Sequence, residues 1–206
     1  MTSKYLLPVL AACVVAFQLP SQGLSMGVGP KGGINFAGAE IDGVDKPDQR
    51  VGASLGIAAE FGVTSPWSLV VEAQYLQRGA SFEILGSKAE GDFNYLEIPV
   101  LAKAKFGATT AHVYAFAGPS LGLKLSSEGR YAGFTDAFED EAASFTISGD
   151  IGAGGAYQLS RYVYLNADVR YSHGFTDALE KSVGTIDTWF SRDVRLMAGI
   201  LFHLTE

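Results

Sequence analysis

The chain has 206 residues, enough for one sizeable domain, and carries a net charge of −7 at pH 7 without any cluster of lysine and arginine. This charge disfavours nucleic-acid binding, which needs a basic patch, so no nucleic-acid partner is expected. The composition joins 48% hydrophobic residues to 18% charged residues. Such a mixture indicates either a large soluble core or a protein with one apolar face in lipid.

Residues 1–25 predict a secretory signal peptide. Lys4 is their only charged residue, and an apolar run over residues 5–17, broken by one proline, precedes a group of small residues. The run is too short to span a bilayer, which disfavours a membrane anchor. Cleavage is expected after Gly23 or Ser25, and it would leave one domain behind.

The single cysteine, Cys13, lies within this segment. The mature chain is therefore expected to have neither disulfides nor a cysteine-based metal site. The residues Leu-Ala-Ala-Cys at 10–13 also resemble a lipobox, in which the cysteine carries lipid. Because the apolar run continues to Phe17, Cys13 lies in the middle of it, and cleavage is favoured over lipidation without excluding it.

Within residues 26–206, apolar and polar residues alternate with a period of two in eight segments, which predicts β-strands with two different faces. One face of every segment is expected to be apolar and uncharged, whereas the other carries six carboxylates and seven cations. An apolar outside around a charge-balanced inside is typical of a barrel in lipid, and a soluble barrel has the reverse. The predicted strands are residues 26–37, 51–62, 68–79, 93–106, 111–126, 144–157, 162–173 and 192–204. The inward charged residues are Lys31, Glu60, Glu72, Arg78, Glu97, Lys103, Lys105, Lys124, Asp150, Asp168, Arg170, Asp193 and Arg195.

The connections between these segments alternate between short and long. Short periplasmic turns, long acidic extracellular loops and two periplasmic chain ends are the pattern of bacterial outer-membrane barrels. Because lipid offers no partner for a free backbone N–H or C=O, the sheet must also close. The sequence therefore predicts an all-β fold, an eight-stranded antiparallel up-and-down transmembrane β-barrel. The short connections are residues 63–67, 107–110 and 158–161, and the long ones are 38–50, 80–92, 127–143 and 174–191.

Aromatic residues gather near the strand ends, as expected for girdles at the two membrane interfaces. They include Phe61, Trp67, Phe93, Tyr95, Phe106, Tyr157, Tyr162, Phe175, Trp189, Phe190 and Phe202.

Four short segments resemble the PorT-like outer-membrane barrels of Bacteroidetes-type bacteria, which share their architecture with OmpA and OmpX. They are Lys-Gly-Gly-Ile-Asn-Phe at 31–36, Tyr-Leu-Gln-Arg-Gly at 75–79, Tyr-Leu-Glu-Ile-Pro at 95–99 and Ala-Gly-Pro-Ser-Leu-Gly at 117–122. The resemblance implies an eight-stranded barrel in the cell outer membrane, and it implies no single activity. The last strand resembles a barrel-assembly signal, although the chain continues for two residues beyond Leu204.

The inward charges have two interpretations. Eight strands enclose a lumen that side chains fill, so the charges are expected to form a structural ion network, with a gated or narrow conduction path as the alternative. The three-residue spacing of Asp42, Asp45 and Asp48 permits Ca²⁺ binding, but it does not match an EF-hand and a solvated loop is favoured. The glycine-rich stretch 149–155 lies within a strand, which indicates close packing or a bend rather than a phosphate loop.

His173 raises the alternative of a lipid-modifying hydrolase, which needs a serine and an acid beside the histidine. Ser172 adjoins His173 but must face the other way, whereas Ser144 or Ser191 lies across a loop. An ordinary histidine at the barrel rim is favoured.

The sequence thus predicts a non-enzymatic, monomeric outer-membrane protein with no cofactor and no metal, acting in envelope structure or through its surface loops. Its expected partners are outer-membrane lipid (lipopolysaccharide and phospholipid), the barrel-assembly machinery and a surface partner. A transport or secretion-accessory role is the first alternative, and a lipid-modifying enzyme is the second.

Overall fold

The structure is a computed structural model that describes residues 25–41, 48–84, 87–131, 134–136, 144–176 and 189–204. The expected signal peptide lies, up to residue 24, outside this part of the chain. No helix among the described residues is long and apolar enough to cross a membrane.

The described residues form β-strands joined by turns. The strands are β1 Met26–Ile41, β2 Asp48–Thr64, β3 Trp67–Ile84, β4 Ser87–Gly107, β5 Ala111–Tyr131, β6 Phe134–Asp136, β7 Phe145–Ser160, β8 Val163–Gly174 and β9 Trp189–His203.

The eight long strands close into a barrel. Neighbours pair antiparallel in the order β1-β2-β3-β4-β5-β7-β8-β9, and β9 pairs back to β1 over Gly27–Ile41. The short β6 pairs with the far end of β5 alone. Every long strand therefore has a hydrogen-bonded neighbour on each side, as the lipid core requires. The prediction of an eight-stranded up-and-down barrel is confirmed.

Side chains alternate between an exposed outer surface and a buried lumen. Ile57, Val113 and Ile151 are each about 60% exposed on the outside, whereas Glu97 and Arg170 are 0% exposed on the inside. An outer surface of aliphatic side chains is stable only in lipid, so the face assignment from the two-residue period is confirmed.

Three details of that assignment are wrong. The outer surface is not free of charge, because Arg192 lies two residues before Val194 in β9 and is exposed like it. Phe93 and Tyr95 were expected in an interfacial girdle, but both are buried inside the lumen. Their position follows from the strand period, since Phe93 lies four residues and Tyr95 two residues before the inward Glu97.

The strands also continue further than the apolar pattern predicts. Residues 80–92 were expected to be a loop, yet β3 runs to Ile84 and β4 starts at Ser87, and the two pair up to that point. Similarly, β5 extends to Tyr131. The apolar alternation ends where lipid ends, but backbone pairing does not need lipid and continues in polar sequence. The short connections are confirmed, with turns at residues 65–66, 108–110 and 161–162.

Candidate functional site

The lumen contains three successive groups of side chains. The central ion network lies nearest the extracellular side, an apolar layer lies below it, and a vestibule opens at the periplasmic end. Their positions follow from the register, because inward residues at equal distance from the short turns lie at the same height in the barrel.

One half of the central ion network surrounds Glu72. Arg170 Nη1 lies 2.8 Å from Glu72 Oε2, and Lys31 Nζ lies 2.9 Å from Glu72 Oε1 and 2.7 Å from Asp168 Oδ2. Gln74 also donates its amide to Glu72, over 2.5 Å. The pair between Arg170 on β8 and Glu72 on β3 crosses the lumen, whereas Lys31 on β1 binds carboxylates on β3 and β8, each two strands away around the barrel.

The other half surrounds Glu97, whose two oxygens bind two different arginines. Arg78 Nη2 lies 2.7 Å from Oε1, and Arg195 Nη1 binds Oε2. Arg78 also binds Asp193 through Nε. Asp150 links the two halves, because its carboxylate contacts both Arg170 at 3.4 Å and Arg195 at 3.8 Å.

The central ion network is thus a continuous set of buried pairs. Burial of a single unpaired charge is very costly, whereas a paired and hydrogen-bonded charge is tolerated. Its members are four cations, Lys31, Arg78, Arg170 and Arg195, and five carboxylates, Glu72, Glu97, Asp150, Asp168 and Asp193.

The apolar layer consists of Val70, Leu101, Tyr114 and Phe116, all buried. The two rings of β5 lie opposite glycines of β7, Tyr114 opposite Gly154 and Phe116 opposite Gly152. A Cβ atom at Gly152 would stand 2.4 Å from the Phe116 ring, and one at Gly154 would stand 2.7 Å from the Tyr114 ring. The glycine-rich stretch of β7 therefore makes space for these rings, in keeping with the close-packing interpretation.

The rings also connect the layer to the charges on either side. The Arg170 guanidinium lies 5.0 Å from the centre of the Phe116 ring, and Lys103 Nζ lies 3.9 Å from the centre of the Tyr114 ring. Both are cation–π distances. Tyr114 further donates its hydroxyl to Asp168 over 3.1 Å.

The vestibule is a cavity of about 650 Å³ at the periplasmic end. Its carboxylate, Glu60, accepts hydrogen bonds from Lys103 at 2.7 Å and Lys105 at 3.0 Å. His112 and His203 also line it. The next void along the lumen, bordered by the apolar layer, has only about 30 Å³.

The structure therefore distributes the thirteen predicted charged residues over more than one group. Nine form the central ion network, and Glu60, Lys103 and Lys105 lie at the vestibule. Lys124 is half-buried on β5, opposite Tyr95 in the register. The apolar layer was not predicted from the sequence, although its residues occupy the same alternate positions of their strands as the inward charged residues.

The sequence of residues 18–180 matches the family model described as an outer membrane protein beta-barrel domain. The chain belongs to this family. It is accordingly an integral protein of the outer membrane, and the outward aliphatic surface described above is its lipid contact. No curated protein shows significant sequence similarity to it.

Solved structures of other outer-membrane barrels share the fold. A major outer membrane protein of Thermus thermophilus gives a TM-score of 0.55 at 13% identity, covering 89% of this chain and 100% of that one. Neisserial surface protein A gives 0.54 at 17% identity, covering 88% and 99%. OprG of Pseudomonas aeruginosa gives 0.52 at 12% identity, covering 90% and 98%. At these identities the likeness concerns the fold alone.

The outer surface of this outer-membrane barrel carries aromatic side chains at both ends of its aliphatic belt. At the extracellular end, His173 lies between the rings of Tyr171 and Phe175, and its Nδ1 is 3.3 Å from Nη1 of the exposed Arg192. The exposed aromatic residues of the periplasmic end are Trp67, Phe106, Tyr157, Tyr162 and Phe202.

The remaining residues considered for catalysis or metal binding include Ser172 and three aspartates. Ser172 is 1% exposed and faces the lumen, opposite to His173, so the two do not form a nucleophile–base pair. Asp42 and Asp45 lie outside the described residues, and the side chain of Asp48, at the start of β2, is not described. Within the described part of the chain, no three potential ligands are grouped to hold a metal ion.

Proposed function

We propose that this barrel is a non-enzymatic, non-conducting component of the outer membrane, with a structural role and surface interactions at its extracellular end. The observation that carries this proposal is the filled lumen. The central ion network and the apolar layer lie in series across it, and Arg170, Arg195 and Glu97 within the network are 0% exposed.

A conduction path through this lumen would require the network to open. Separating one buried partner from its ion pair costs about 3–5 kcal/mol, because the other charge remains buried and unpaired. The pairs around Glu72 and Glu97 are joined through Asp150, so several would have to separate together. The same argument disfavours the transport alternative.

Single-channel recording in planar bilayers tests the proposal. The full protein is expected to give no steady conductance steps, whereas a sixteen-stranded porin in the same bilayers supplies the positive control. Steady steps from the wild-type barrel would contradict the proposal and support transport.

Outer-membrane lipid is the first partner that we propose. Arg192 lies about 28 Å along the barrel axis from the end of β9, at ~3.3 Å per residue and ~40° of tilt. The apolar band of such barrels is ~25 Å tall, which puts Arg192 at headgroup level. Its exposure beside His173 supports contact with lipopolysaccharide phosphates.

A matched pair of variants tests the lipid contact. Arg192→Ala is expected to reduce the thermal stabilisation of the detergent-refolded barrel by added lipopolysaccharide. Arg192→Lys keeps a positive charge at the same position and is expected to retain most of that stabilisation. Equal responses of the two variants would rule out a specific contact at Arg192.

Export by a cleaved signal peptide and insertion by the barrel-assembly machinery complete the proposal. N-terminal sequencing of protein from the outer-membrane fraction is expected to begin at Leu24 or Met26. A blocked, lipidated Cys13 would instead support the lipobox alternative. Surface partners and the PorT-like secretion role are tested by deleting the protein and comparing the proteins displayed on the cell surface.

A phospholipid turnover assay addresses the enzymatic alternative. On the outer surface, His173 contacts the rings of Tyr171 and Phe175 and the guanidinium of Arg192, and none of these three is a carboxylate or a serine. Purified barrel is expected to show no turnover. Activity that disappears in His173→Ala would contradict the non-enzymatic assignment.

A further inference from the structure

We propose that the periplasmic vestibule is a binding site for a phosphate group, either free or in a lipid headgroup, that enters from the periplasm. This goes beyond the structural role of the barrel and does not depend on whether the lumen conducts. The described residues that line the cavity include three basic side chains, Lys103, Lys105 and Arg161, and a single carboxylate, Glu60. The cavity therefore favours an anion.

The two lysines have unequal roles. Lys103 is 8% exposed, binds Glu60 and lies against the Tyr114 ring, so its ammonium group is directed toward the apolar layer. Lys105 binds the other oxygen of Glu60, and its side chain keeps 30% of its exposure toward the cavity. An ammonium group has three donors, so Lys105 retains donors for a ligand.

Two histidines add donors, His112 on β5 next to the strand of the two lysines and His203 on β9. His112 and His203 both line the cavity, and the His203 ring is held edge-on against Tyr164 at 4.6 Å between centroids. Among the described residues, no hydrogen-bond partner exists for the buried Nδ1 of His203. A neutral imidazole has one donor and one acceptor, so it can bind a phosphate oxygen without carrying charge.

The size and the walls of the cavity fit this ligand class. A volume of about 650 Å³ exceeds the needs of a bare ion and falls in the range of small-molecule sites. Tyr162, Tyr164 and Leu201 give it apolar walls beside the cations. A phosphate ester with a short apolar or glycerol group would occupy both kinds of surface, whereas free phosphate would use the cations alone.

The test titrates the full-length barrel, refolded in a phosphate-free maltoside detergent, and follows backbone amide shifts by NMR. One arm uses sodium phosphate, and the other uses monomeric dihexanoylphosphatidylglycerol. Saturable shifts are expected at amides around His112 and His203. Larger affinity for the lipid than for phosphate would identify a headgroup as the source, and equal affinity would identify free phosphate.

Matched variants make the assignment specific. Lys105→Gln is expected to weaken binding about three- to fivefold, the effect of a partly exposed ion pair. Lys124→Gln removes the same charge from the other end of the lumen and is expected to leave the affinity unchanged. If Lys105→Gln does not refold, Arg161→Gln carries the same test, because its side chain lies in an exposed turn.

Three results would overturn the proposal. The first is the absence of saturable shifts around the vestibule with both probes. The second is an equal loss of affinity in Lys105→Gln and Lys124→Gln. The third is saturable shifts confined to the extracellular ends of the strands, which would assign phosphate binding to another surface.

Discussion

The carboxylate of Glu97 is the member of the central ion network whose removal has the clearest consequence. Glu97→Gln keeps the shape of the side chain and one oxygen acceptor but removes the negative charge. Arg78 would retain Asp193 through its Nε atom. Among the described carboxylates, Arg195 would retain Asp150 alone, whose contact with Nη2 is already long at 3.8 Å.

The expected loss follows from the burial of Arg195. Its side chain is 0% exposed, so water cannot replace the lost partner without opening the lumen. Removing one partner of a buried ion pair costs about 3–5 kcal/mol, and we expect a decrease of that size in the free energy of unfolding. Within the vestibule, Glu60→Gln is expected to cost less, because Lys105 and Lys103 both line the cavity and can be hydrated from it, and Lys103 also keeps its contact with the Tyr114 ring.

Denaturant titration of the barrel in phospholipid vesicles measures both variants. Trp67 is exposed on the outer surface at the periplasmic end, and its fluorescence reports the transfer from lipid to water on unfolding. Glu60→Gln serves as the control, because it is the same substitution in the same lumen. A heat-modifiable gel shift verifies that each variant is folded before the titration.

The reasoning is refuted if Glu97→Gln costs no more than Glu60→Gln. A second variant strengthens the test: adding Arg195→Met to Glu97→Gln removes the unpaired guanidinium. The two changes are expected to be non-additive, with a coupling of about 0.5–3 kcal/mol in favour of the double variant. Strict additivity would show that Arg195 does not depend on Glu97.

Two further predictions concern the two faces of the wall. Ile57→Arg is expected to lower the free energy of unfolding by about 2–4 kcal/mol in the same titration, because a cation would lie in the apolar belt. Ala58→Ser on the inner face is expected to cost little. Equal costs would mean that the faces are misassigned. Gly154→Ala would put a Cβ 2.3 Å from the Ala167 carbonyl oxygen and is expected to cost about 1–3 kcal/mol. For its outward neighbour the nearest atom is 3.7 Å away, so Gly155→Ala is expected to be neutral, and a larger loss there than at Gly154 would contradict the packing argument.

The strand faces could be predicted from the sequence, because a period of two assigns every residue of a strand to the inner or outer face once one residue of that strand is assigned. The same rule places Phe93 and Tyr95 in the lumen and Arg192 on the outside. These three residues were misassigned because their residue type was weighed ahead of their odd or even position in the strand. The strand ends were a different problem. Residues 80–92 include Phe82 and Ile84, but the positions that continue the outward alternation are Ser81 and Glu83 in β3 and Lys88, Glu90 and Asp92 in β4, so the apolar pattern does not continue there.

The ion pairs were beyond the reach of the pattern. Lys31 and Glu72 are 41 residues apart, and Arg195 and Glu97 are 98 apart. Which inward charges meet depends on the stagger between strands and on the curvature of the closed barrel, and neither is encoded in the alternation of one segment. The division between the central ion network and the vestibule depends in the same way on the height of each residue.

The unequal lengths of the strands have a consequence for molecules that approach from outside the cell. β4 and β5 each have 21 residues and stay paired up to Ala89 and Tyr131, whereas β8 has 12 residues. One side of the barrel therefore continues above the membrane as a hydrogen-bonded sheet. The backbone of that sheet is already ordered before any encounter. A partner that docks on it would lose less conformational entropy than one that must first order a loop, so a modest contact area would suffice for binding.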